Sequence, residues 1–160
     1  MDGVQRELGV WCRMKVEATV AADILCDEEG FKPYVYKDHL GFQTIGHGIL
    51  VDKRKGGGIT EEESKYLLSN RVYTCAYALE KKFGKLWHNL TLPRQVVLVC
   101  MAYQLGVDGT MEFKKMILAL ERGDYVKAAE EMLDSKWAKI DTPARAGRMA
   151  EIMRSGRLFS

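Results

Sequence analysis

Apolar residues fall near helical spacing from Val4 to Asp27, at Val4, Leu8, Trp11, Val16, Val20, Ile24 and Leu25, with Gly9 leaving room for a break. Glu28-Glu29-Gly30 closes this helix: Gly30 suits a left-handed stop, and Pro33 forbids continuation. The pattern then changes. Tyr34, Val35, Tyr36, Phe42, Thr44 and Ile45 favour strands, and Asp38-His39-Leu40-Gly41 reads as a turn ending in glycine. Gly46-His47-Gly48 offers a second turn before Ile49-Leu50-Val51. The prediction is a β-ribbon of two or three strands, too small to fold alone and needing a helix against one face.

Lys53-Arg54-Lys55-Gly56-Gly57-Gly58 is expected to be an exposed, mobile loop. Thr60-Glu61-Glu62-Glu63 then starts a helix, with Thr60 as cap and Glu63 as its reciprocal partner. That helix can run to Phe83, ~36 Å at the α-helical rise. After Leu92-Pro93, the stretch Val96 to Tyr103 is apolar all round, as for the central helix of a bundle, and Gly106 ends it. Amphipathic helices are expected over 112–121, 125–133 and 144–154, the last announced by Thr142 and Pro143.

Composition narrows the class. At 160 residues and 47% hydrophobic, the chain is the size of one domain with a real core. A net charge of +2 is too small to argue for nucleic acid. From Lys136 onward, six cations (Lys136, Lys139, Arg145, Arg148, Arg154, Arg157) stand against Asp141 and Glu151. This basic end suits an anionic polymer and suits a solvated helix face equally well. Cys12, Cys26, Cys75 and Cys100 form no CxxC pair and read as reduced core residues, and the three histidines lack ligand spacing, so neither metal nor cofactor is expected. No run approaches ~18 apolar residues, and the start lacks the order of a secretory signal, so stable membrane insertion is not expected.

The candidate chemistry lies between residues 28 and 46. Glu29 ends an apolar helix, Asp38 follows nine residues later in a turn, and Thr44 six further on in the return strand. Two acids on different elements around a cleft are the minimum equipment for cleaving a glycosidic bond. Alone, Glu-Glu-Gly is also an ordinary helix end, Asp38 an ordinary turn residue, Thr44 a strand threonine and Trp137 a core aromatic. Glu28 competes with Glu29 for the role of acid.

These residues carry a resemblance. Asp27 to Gly46 is similar to the active-site segment of the phage T4-type lysozymes (endolysin muramidases), where D-E-G leads to Y-K-D and T-I-G. The similarity continues in order through Met101-Ala102-Tyr103-Gln104-Leu105-Gly106, Ser135-Lys136-Trp137, Thr142-Pro143-Ala144-Arg145-Ala146-Gly147-Arg148 and Arg154-Ser155-Gly156-Arg157. It covers roughly residues 21–160. It implies a predominantly helical α+β, two-lobed fold: a front lobe and long connecting helix over 21–83, and a helical back lobe over 84–160. Residues 1–20 go beyond the usual start and are expected to be a helical extension: a longer first helix, a docking element or a regulatory segment.

The resemblance implies hydrolysis of the β-1,4 bond between N-acetylmuramic acid and N-acetylglucosamine in peptidoglycan, with inversion, by a monomeric enzyme without cofactor. Glu29 matches the acid, Asp38 the base and Thr44 the hydroxyl that holds the water; the nine-residue step to Asp38 favours Glu29 over Glu28. An apolar wall at a helix end, including Phe31, would favour the protonated acid, whereas a polar turn keeps Asp38 ionised. Arg145 matches an arginine that reaches from the back lobe to the acid and opposes that desolvation. Gln104 and Trp137 match positions that hold glycan and peptide, Trp137 offering an apolar surface.

The setting implied is a phage endolysin held in the host cytoplasm until the membrane is permeabilised, then acting on the cell wall. The alternatives are a catalytically inactive glycan-binding or immunity module, a nucleic-acid binder using the basic end, and a virion-borne or effector muramidase with the same chemistry. Similar enzymes carry histidine five residues after the threonine; here that position is Ile49, and His47 stands between two glycines. Cleft polarity or hairpin packing is where this departure should tell.

Overall fold

The structure is a computed structural model that describes residues 16–51 and 57–158. The chain divides into two compact units, Met1–Glu63 and Ser64–Ser160. The boundary drawn from sequence lies at the other end of the long helix, after residue 83. The expected mobile loop falls largely on residues 52–56, and the extension largely on residues 1–15, both outside the described residues.

In the first unit, helix α1 (Val16–Glu29) leads into strands β1 (Lys32–Lys37), β2 (Gln43–Gly46) and β3 (Ile49–Leu50). Gly30 stops α1 as expected: it sits at φ 62°, and its N–H donates to the Cys26 carbonyl at 3.2 Å. The sheet is antiparallel in the order β1-β2-β3, with Tyr36 opposite Thr44 and Thr44 opposite Leu50. The β1–β2 register is irregular between Lys32 and Tyr36. Pro33, which has no N–H to give the ladder, falls in that stretch, and β1 is an edge strand, where proline is tolerated.

Helix α2 (Glu61–Phe83) begins on the capping box read from sequence. The Thr60 N–H donates to Glu63 Oε2 at 2.7 Å, and the Glu63 N–H donates to Thr60 Oγ1 at 3.2 Å. Three glutamates in its first turn and Lys81 and Lys82 in its last suit the helix dipole. All but its first three residues belong to the second unit.

The second unit continues through α3 (Lys85–Asn89), α4 (Leu92–Leu105), α5 (Val107–Met111), α6 (Lys114–Glu121) and α7 (Tyr125–Leu133). A π-helical turn over Trp137–Asp141 and helix α8 (Pro143–Ser155) complete it. Helix α8 packs on α7, α4 and the π turn, and α7 packs on α6. Leu79, Val97, Leu98, Met101, Met116, Met132 and Met153 are fully buried among them. The fold class is therefore the expected one, predominantly helical α+β with a small antiparallel sheet.

Three local expectations change. Helix α4 is buried on one face (Val97, Leu98, Met101, Ala102), while Tyr103 is exposed, so it is not enclosed all round. The short helix α5 was not anticipated, and α6 starts at Lys114 rather than residue 112. The described cysteines are unpaired as expected, but none is fully enclosed: Cys26 is exposed, Cys75 is half-buried against the core, and Cys100 is half-buried. At the base of the unit, Arg94 ties α4 to α8: its Nε donates to the Met153 carbonyl at 3.0 Å, and its guanidinium lies 3.5 Å from the Tyr125 ring centroid.

Candidate functional site

The proposed acid, base and hydroxyl all lie on the first unit, each on a different element. Glu29 is the last residue of α1. Its carboxyl rests against the backbone of the β2–β3 turn: a Cβ at Gly48 would stand 2.8 Å from both its Cδ and Oε2. Gly48 also has φ 70°, the left-handed region. Glycine is required there twice over, for the turn and for the room the carboxyl occupies. Sequence reading found a turn glycine at this position but missed the contact, whose only signal was the Gly-His-Gly spacing.

Asp38 occupies the β1–β2 turn. Its Oδ1 accepts from the N–H groups of Leu40 at 2.9 Å and Phe42 at 2.8 Å. The Asp38 N–H donates to the Phe42 carbonyl, and the Gly41 N–H to the Asp38 carbonyl, so backbone and side chain fix the same turn. One carboxylate oxygen thus orients the residue by two amide bonds. Oδ2 is the oxygen not engaged by those two bonds.

Thr44, in the middle strand, is 4% exposed, and its hydroxyl donates to the Phe42 carbonyl at 3.2 Å. In that bond the hydroxyl is the donor, and the bond itself uses none of its lone pairs. Between Asp38 and Thr44, Phe42 is bonded by both: its N–H to the aspartate, its carbonyl to the threonine. Base candidate and hydroxyl candidate are held through one shared residue.

Phe31, expected to wall Glu29 with apolar surface, does not enclose it. Glu29 is exposed, and Phe31 is 67% exposed. The Phe31 ring packs instead on His47, with centroids 5.4 Å apart and planes tilted by 41°. The displaced histidine therefore serves the packing of the hairpin turn against the end of α1.

The other three candidates meet within the second unit. Gln104, one residue before the end of α4, gathers Trp137, Thr142 and Arg145. Its Oε1 accepts from Trp137 Nε1 at 3.0 Å and from Arg145 Nη1 at 3.3 Å, and its Nε2 donates to Thr142 Oγ1 at 3.0 Å. The π turn makes this possible, since the Thr142 N–H reaches back to the Trp137 carbonyl at 2.9 Å. Thr142 gives α8 no side-chain cap. Its hydroxyl is spent on Gln104, a role the sequence reading had not given it.

Trp137 is 3% exposed and meets Phe113 edge-on, with its N–H satisfied by Gln104. It offers a ligand far less surface than expected of it. It nonetheless lines an open cavity of about 580 Å³, together with Leu105, Phe113, Met116 and Lys136. Arg145 is exposed, and beside it burial pushes the Cys100 thiol up while the guanidinium pulls partly the other way.

Two cations of the basic end are paired locally. Lys139 pairs with Asp134 and holds that carboxyl below its ordinary range, and Arg154 pairs with Glu151 at 2.8 Å. Among the described residues, no three His, Cys, Asp or Glu side chains cluster as metal ligands would, and no helix is long and apolar enough to cross a membrane.

The family profile described as phage lysozyme matches residues 26–153. The chain is 31% identical, over 87% of its length, to the pre-baseplate central spike protein Gp5 of Enterobacteria phage T4, of which it spans only 28%. It is 26% and 27% identical, over 85% of its length, to probable T4-type lysozymes 1 and 2 of Dictyostelium discoideum, and spans 94% of each. With four-fifths of its length inside the family profile, the chain belongs to the phage lysozyme family, a family of lysozyme (muramidase) enzymes.

Proposed function

We propose that this chain hydrolyses the β-1,4 bond between N-acetylmuramic acid and N-acetylglucosamine in bacterial peptidoglycan, by general acid–base catalysis with inversion. The observation that carries the reading is the placement of Glu29, Asp38 and Thr44 on three separate elements of one small unit, in a chain of this family. Glu29 donates its proton to the leaving oxygen. Asp38, oriented by two amide bonds through Oδ1, takes a proton from the attacking water through Oδ2. Thr44 holds that water with the lone pairs its bond to Phe42 leaves over.

Because Glu29 is exposed, a bound glycan can reach its carboxyl directly and exclude water from it. Gln104, Trp137 and Arg145 are assigned to the substrate as well, Gln104 and Arg145 through the polar edge of their cluster and Trp137 through the cavity it lines. The enzyme is read as a monomer without cofactor and without a nucleic-acid partner. Clearing of chloroform-treated Gram-negative cells tests the activity, and the first product anomer seen by proton NMR tests the stereochemistry. An α anomer is expected from inversion of a β bond, and a β anomer overturns the assignment of Asp38 as base.

The biological role proposed is that of a phage endolysin, passing from the host cytoplasm to the cell wall once the membrane is permeabilised. Similarity to a baseplate spike protein favours a second reading, a virion-borne muramidase with the same chemistry. Detection of the chain in purified virions separates the two.

A further inference from the structure

Two contacts join the same pair of backbone segments. The Glu29 carboxyl lies against Gly48, and two residues beyond Glu29 the Phe31 ring lies on His47, the neighbour of Gly48. Both segments bend at glycines, Gly30 with φ 62° at the end of α1, and Gly46 and Gly48 with φ 67° and 70° in the turn. Glycine hinges supply little stiffness of their own. The Glu29 side chain is exposed, so keeping one rotamer costs conformational entropy unless its surroundings hold it.

The geometry points to His47 as a positioning residue for the acid: through Phe31, its ring holds the end of α1 against the β2–β3 turn and so holds the Glu29 carboxyl at Gly48. The contact needs a flat, polarisable ring at residue 47 and makes no use of its proton. A tilt of 41° also leaves the pair without one continuous flat face, which argues against a stacking platform for a sugar. The catalytic consequence rests on the hydrolase reading; the clamp itself does not.

The test compares His47→Ala and His47→Phe with the natural full-length chain. One measurement is independent of activity: the NOE between the Glu29 side-chain protons and the Gly48 α protons. It should weaken in His47→Ala and persist in His47→Phe. The other is steady-state kinetics on soluble peptidoglycan fragments. His47→Ala should lower kcat by about tenfold or more, as misplacement of a reacting group does, with KM changed by less than roughly twofold. His47→Phe should restore both.

An undiminished NOE in His47→Ala overturns the clamp. So does a rise in KM with kcat unchanged, which would make the pair a sugar contact, and so does a His47→Phe chain that behaves like His47→Ala. If the natural chain fails to hydrolyse the fragments, the hydrolase reading falls, and the NOE still decides the clamp.

Discussion

The two units are held together by different physics. In the second, large apolar side chains from α2, α4, α6, α7 and α8 interlock, and Leu79, Leu98, Met101, Met116, Met132 and Met153 have no measurable exposure. In the first, Thr44 is the buried residue among those described, while Tyr34, Phe31, Leu40 and Val35 stand half or more exposed. Its order comes from the Gly30 stop, the Asp38 turn, the strand ladder and the ring pair. The carboxylates proposed for the chemistry sit on the lightly packed unit, where side chains stay accessible to a polymer. The heavily packed unit gives most of its side chains to one another.

Replacements of the acid pair should separate activity from stability most widely. Glu29→Gln should lower turnover ~10²–10⁴-fold, the range that general acid–base groups supply, and leave the thermal midpoint unchanged because the residue is exposed. Asp38→Asn should do nearly the same, since its side-chain oxygen can still accept from Leu40 and Phe42. Asp38→Ala should lose the turn as well, visible as a lower midpoint.

The converse change is Met101→Ala in the packed unit. Emptying that fully buried site should cost about 2–5 kcal/mol in denaturant unfolding, with turnover per folded molecule preserved. Equal losses of stability from the acid variants and from Met101→Ala would break the contrast.

Gly48→Ala is the substitution that should affect both properties. A left-handed φ of 70° with a side chain costs about 1–3 kcal/mol, and the new Cβ would displace the Glu29 carboxyl. Turnover should therefore fall more than stability alone explains, measured as kcat at a temperature where the variant stays folded.

What the sequence disclosed and what it hid divide along the same line. The Thr60–Glu63 box, the Gly30 stop, Pro143 at the start of α8 and the span of α7 were readable because each is set within a few residues. Glu29, Asp38 and Thr44 were legible as types at a spacing. The contact between Glu29 and Gly48 was not, since it depends on how the turn folds back. The gathering of Trp137, Thr142 and Arg145 on Gln104 joins residues 33 to 41 apart, and no local pattern announces it. Burial misled in both directions: apolar character made Phe31 a wall and Trp137 a surface, and the fold exposes the first and encloses the second.

The smallest effect expected concerns Cys100. Its thiol is raised by burial and partly lowered by Arg145, so Arg145→Gln should raise it further. At mildly alkaline pH, mass-mapped alkylation of Cys100 should then slow, while exposed Cys26 is unaffected. Faster labelling of Cys100 would show that the substitution had opened the packing rather than removed a charge.

The central claim is that Glu29 drives muramidase chemistry, and reducing-end analysis of digested peptidoglycan tests it most directly. After borohydride reduction, the natural chain should yield fragments ending in reduced N-acetylmuramic acid, and Glu29→Gln should yield almost none. Reduced N-acetylglucosamine ends, anhydromuramyl ends, or undiminished product from Glu29→Gln would contradict it.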